Sequence, residues 1–126
     1  MSITGLVKTY WDTNLTDLPL WIGEAVDANY PYAVLTVIGT NPTWDTAHGY
    51  ETAQIQLSFY HTSAEDVEEL ADDVRSALDW GSLWTSGFIS SQRTSEIGPL
   101  LQPVKGKLGA ELWGYTINYD LMFTRS

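Results

Sequence analysis

The side chains in this sequence that could do acid–base or metal chemistry are few in kind. Histidine occurs at His48 and His61 only, and imidazole is the group that ordinarily titrates near neutral pH. His48 has Asp45 close by and His61 has Glu65, but neither stands in the H-x-x-x-H spacing that sets two imidazoles around a metal. Cysteine is absent, which excludes disulfides, thiolate metal sites and a thiol nucleophile. Carboxylates are plentiful, and Glu65, Asp66, Glu68, Glu69, Asp72 and Asp73 crowd into one stretch. A calcium loop needs oxygens at alternate loop positions and a glycine for its turn. These carboxylates follow a helical pattern instead, which spreads them along a solvated face. The serines within residues 82–95 lack a G-x-S-x-G context. Gly5, Gly39, Gly81 and Gly109 do not form a phosphate-cradling spacing. Paired carboxylates for glycoside hydrolysis meet in space, and no local feature singles out an acid or a base. The expectation is a protein that is not an enzyme and holds no cofactor and no metal.

The elements that carry these residues are clearer than their chemistry. Within residues 50–80, Ala53, Ile55, Leu57 and Phe59 alternate with Gln54, Gln56, Ser58 and Tyr60, the period of a half-buried strand. The period then changes to that of a helix over residues 63–79. Val67, Leu70, Ala71, Val74, Ala77 and Leu78 share its apolar face, which is expected to lie on the sheet. Thr62 with Glu65, or Ser63 with Asp66, offers its N-terminal cap, and Gly81 a stop. Upstream, Ile3, Leu6, Val7, Tyr10 and Trp11 recur at one helical face, with Ser2 as cap. Leu20, Trp21 and Ile22 form a short apolar run. Residues 32–40, with Val34, Leu35, Val37 and Ile38 nearly continuous, predict a strand buried on both faces. It pairs with the strand after it as a long hairpin. Residues 83–89 are strand-like, and residues 96–109 read as a loop. At the end, Trp113, Tyr115, Ile117, Tyr119, Leu121 and Phe123 alternate with Gly114, Thr116, Asn118, Asp120 and Met122, a long strand with one face on the core. The order is α-β-β-β-α-β-β. It predicts an α+β fold: a mostly antiparallel sheet with both helices on one face.

At 126 residues the chain makes one domain, residues 1–126, able to bury a core without staples. A composition 44% hydrophobic and 17% charged is that of a globular protein rather than a disordered one. The formal charge of −10 disfavours gripping DNA or anionic lipid, because phosphate affinity comes from Lys and Arg. The N-terminus lacks the pattern of a signal peptide, and no apolar run reaches the roughly 18 residues of a membrane span. A soluble protein made in the cytoplasm is expected. Six Trp and seven Tyr suit a small core and also an interface.

One segment departs from the acidic background. Residues 98–109, GPLLQPVKGKLG, place Leu100, Leu101 and Val104 beside Lys105 and Lys107. Apolar residues on a connection this long predict an assembly arm that reaches a neighbour.

The element order and the segment YETAQIQLSFYHTSAEDVEELADDVRSAL resemble the small tail-terminator, or tail-completion, proteins of long-tailed bacteriophages. In that family an alternating strand runs into a Ser-led helix, and Ser63, Val67, Leu70, Ala71, Val74, Ala77 and Leu78 occupy the matching places here. The Pro31–Tyr32 strand entry and the final aromatic strand are similar too. The resemblance implies a virion structural protein at the tail–neck junction, assembled in the host cytoplasm. It implies a ring, commonly of six copies, that caps the tail tube and joins it to neck or connector proteins. DNA would pass without specific binding, and the acidic helix would supply a lumen wall or face outward. The family supplies no catalytic residues. Other readings are a head-completion or tail-tube protein, or, from a different class, a carbohydrate-binding module that uses the Trp and Tyr residues.

Overall fold

A computed structural model describes residues 3–23, 31–42, 50–79, 88–102 and 111–124. The elements follow the order expected: α1 (Ile3–Asn14), β1 (Leu20–Ile22), β2 (Tyr32–Pro42), β3 (Tyr50–His61), α2 (Ala64–Leu78), β4 (Phe88–Leu101) and β5 (Trp113–Thr124). The five strands form one sheet in the order β1-β2-β3-β5-β4. β1 runs parallel to β2, and every other pairing is antiparallel. The fold is α+β, with a mostly antiparallel sheet. Among the described residues no helix is long and apolar enough to cross a membrane.

Period-two alternation places the core. Ala33 and Leu35 of β2, Ala53, Ile55, Leu57 and Phe59 of β3, and Tyr115, Ile117, Tyr119 and Leu121 of β5 are buried on one face. Both helices cover that face. α2 lies over β3, β5 and β4, and α1 lies beside β1. α2 buries Val67, Ala71, Val74 and Leu78, at the spacing of one helical stripe. Ser63 caps it: its side chain accepts the Asp66 backbone N–H at 3.1 Å, one of the donors a helix start leaves unpaired. α1 contributes Val7, Tyr10 and Trp11. The Trp11 indole N–H donates to the Leu18 carbonyl, which turns the chain back toward β1.

Three expectations need correction. β2 is not buried on both faces, because both helices lie on one side of the sheet. Val34 and Val37 are half-buried and Ile38 is 54% exposed, beside a register shift between Val37 and Gly39. Leu70 packs against the core but from the margin of the sheet-facing stripe, where it is only half-buried. Finally, residues 96–101 are not a loop. They continue β4 to Leu101, and beyond it the Gln102 N–H donates to the Leu112 carbonyl at 2.8 Å; residues 103–110 lie outside the described residues. The strand expected over residues 83–89, of which 83–87 lie outside the described residues, runs on to Leu101. That continuation was not legible because its pairing with β5 shifts register three times, between Phe88 and Ser90, Arg93 and Ser95, and Ile97 and Leu100. Each shift breaks the alternation that marks a strand.

Candidate functional site

The acidic residues of α2 lie on one side of the helix, as expected. Glu65, Glu68, Glu69, Asp72 and Asp73 are exposed, and Asp66 is half-buried. They do not gather into a chelating group, and no cluster of His, Cys, Asp or Glu among the described residues could hold a metal. His61 is tied to its own corner. Its Nδ1 accepts from the Thr62 backbone N–H at 2.8 Å and stands 4.0 Å from Asp66, not near Glu65. His48 and Asp45 lie outside the described residues.

The seam between α2 and β4 is ionic. Arg75 donates to Glu96 at 2.9 Å, to the Tyr115 hydroxyl at 3.3 Å, and to Asp72. Arg93 approaches Asp79 and Glu96, each at 3.6 Å. Burial by itself would lower the pKa of Arg75, but its bonds to Tyr115, Asp72 and Glu96 outweigh that and raise it. The Tyr119 phenol donates to Asp79 at 2.7 Å. Burial first, and that hydrogen bond second, push its pKa well above the ordinary 10.0. These groups have partners within the chain, so the seam holds β4 to the helix layer.

The concave site is elsewhere. A groove of about 510 Å³ opens between the end of α1 and the middle of α2. Its floor is apolar, with Leu15, Leu18, Leu70 and Ala77, and its rim carries Asp17 and Asp73. The Tyr10 hydroxyl donates to the Ala77 carbonyl and fixes the two helices across it. Neither Asp17 nor Asp73 has an ion pair among the described residues. Leu70, half-buried and packed against the core, also lines this groove.

The exposed large hydrophobic residues divide between the two ends of the sheet. Ile22 of β1 and Ile38 of β2 lie at one end, and Ile97, Leu100 and Leu101 of β4 at the other, each 48–60% exposed. Leu100 and Leu101 are thus exposed as anticipated, though on a strand rather than a loop. Val104, Lys105 and Lys107 lie outside the described residues. Of the six basic residues, Lys8 pairs with Asp12, and Arg75 and Arg93 pair as above. The others are Lys105, Lys107 and Arg125.

The sheet face away from the helices is nearly uncharged. One cross-strand row sets Asp120 between Gln54 and Gln92, and the next sets Asn118 between Gln56 and Ser95. Asn118 donates to Ser95 at 2.8 Å, and Ser58 and Thr116 share a hydrogen bond of 3.1 Å. A depression of about 240 Å³ lies over Gln54, Asp120 and Gln92. At the other end of this face the Tyr32 and Tyr60 rings are 5.2 Å apart. Period-two reading placed these residues on the polar face but could not bring β4 beside them.

Compared with known proteins, the chain matches no protein-family model, and no curated protein is similar enough to count as a relative.

Proposed function

We propose that this protein is a virion structural protein, a tail terminator that caps the tail tube of a long-tailed bacteriophage as a closed homo-oligomeric ring. The observation that carries the reading is the division of exposed apolar residues between opposite ends of one sheet. Two unlike patches at opposite ends favour head-to-tail contact, and head-to-tail contacts that close by rotation make rings. An isologous dimer would need only one such patch. The outline of the tail-terminator family, a Ser63-capped helix following an alternating strand, points the same way and suggests six copies.

The ring joins the tail tube to the neck or connector and works without catalysis or a cofactor. Its charge of −10 suits a passage that DNA must cross without adhering, because phosphate binding requires the cations this chain lacks. Native mass measurement and imaging of purified particles test the reading. The expected result is a multimer, about six copies, at the junction of tail and neck. One copy per particle, or none, overturns it. Copy number and position also separate this role from that of a tail-tube or head-completion protein.

A second reading draws on the helix-free sheet face. Its rows of carboxamides and hydroxyls, with the Tyr32–Tyr60 pair at one end, are chemistry suited to a neutral polysaccharide. Retention of the isolated monomer on polysaccharide columns, lost on Asp120→Ala, would favour a carbohydrate-binding module instead.

A further inference from the structure

The groove of about 510 Å³ between α1 and α2 joins an apolar floor to two carboxylates. Leu70, half-buried against the core, lies on its floor, and Asp17 and Asp73 on its rim have no ion pair among the described residues. Such a surface fits an apolar segment that carries positive charge. This chain contains one. Leu100 and Leu101, each 52% exposed, lead into Val104, Lys105 and Lys107.

We propose that the groove receives residues 101–107 of the next copy in the ring, with Leu101 and Val104 on its floor and Lys105 and Lys107 against Asp17 and Asp73. The inference rests on the ring reading and supplies its contact. Topology argues for a second copy over the same chain. The segment leaves from β4, at one end of the sheet, while α1 lies beside β1 at the other. α2, packed over β3, β5 and β4, stands between the two. Donor and acceptor at separate places on one subunit form the heterologous pair that a ring repeats. The charges set register and partner choice more than affinity.

Two measurements decide it. A donor-defective chain carries Leu101→Ser, Val104→Ser, Lys105→Ser and Lys107→Ser, which leaves its groove open to a probe. A fluorescent peptide of residues 100–109 is titrated into this chain and followed by anisotropy. Saturable binding is expected, weakened by salt because exposed ion pairs are screened. Adding Leu70→Lys and Asp73→Lys to the host should weaken it about tenfold or more. A second host change, Asp17→Lys with Asp73→Lys, alters exposed positions only and guards against loss of fold, which circular dichroism checks. No binding, or binding indifferent to both changes, overturns the docking.

The second measurement is native mass. The donor-defective chain and a chain altered only in the groove should each stay monomeric, and their equimolar mixture should give dimers, since a mixed pair retains one intact contact. Assembly of either variant like the parent, or a mixture that stays monomeric at concentrations that saturate the peptide, overturns docking between copies. Peptide binding reports the groove even in a monomer, whereas copy number in particles reports the ring, so the two failures are distinguishable.

Discussion

Leu70 and Leu78 lie on the same helix and allow one substitution to be compared in two environments. Leu78 is 3% exposed, within the sheet-facing stripe of α2. Leu→Ala removes three methyl or methylene groups, about 2.4 kcal/mol of transfer free energy at roughly 0.8 each. The closed surroundings add a cavity cost, so Leu78→Ala should lose about 3–4 kcal/mol. Leu70 lines an open groove, where truncation seals no void and part of the side chain already meets water. Leu70→Ala should therefore cost on the order of 1 kcal/mol, the partial transfer term alone. For a domain of this size about 1 kcal/mol corresponds to roughly 3–5 °C in Tm. The two variants should thus melt about 6–15 °C apart, with parallel differences in urea midpoint at constant slope. Each variant is compared as a monomer, at a dilution where assembly does not add to stability. Equal losses, or a larger loss at Leu70, would refute the placement of the groove and the helix register beneath it.

Ser63→Ala should lower stability by about 0.5–2 kcal/mol in urea titrations, because the Asp66 N–H loses its acceptor. Gly98 lies at φ 150°, and a Cβ there would stand 2.5 Å from the Tyr115 ring; Gly98→Ala should cost about 2 kcal/mol or more, whereas Gly39→Ala, with open space around it, should stay within about 0.5 kcal/mol of the parent. Tyr119 has a folded pKa above its unfolded value, so the stability it contributes is fully present below about pH 10 and is lost as pH rises toward the folded pKa. Tyrosine absorbance at 295 nm should show a phenol that resists ionisation until the chain unfolds. Tyr119→Phe should remove that phenol and flatten the fall in stability above pH 10.

Local period and capping chemistry were enough to identify most of the fold. Alternation in β3 and β5 and the stripe on α2 are direct consequences of burying one face of a strand or helix, so Ile55, Leu57, Ile117, Val67 and Val74 could be assigned to the core from spacing alone. The Ser63 cap was legible because its acceptor serves an N–H three residues away. The absence of thiols and of metal-ligand spacings was equally plain.

What tertiary structure decided is whatever depends on distant chain segments meeting. β4 binds the helix layer through Arg75, Glu96, Arg93 and Asp79, so charge stands where an apolar stripe would have announced a strand, and its register shifts erase the remaining period. Leu70 shares its helical spacing with core residues, and only the position of α1 assigns it to a groove. The pairing order β1-β2-β3-β5-β4 separates Ile22 and Ile38 from Ile97, Leu100 and Leu101. Strand order is set by long-range hydrogen bonding, which no window of sequence contains, so the two-ended surface behind the ring proposal belongs to the fold alone.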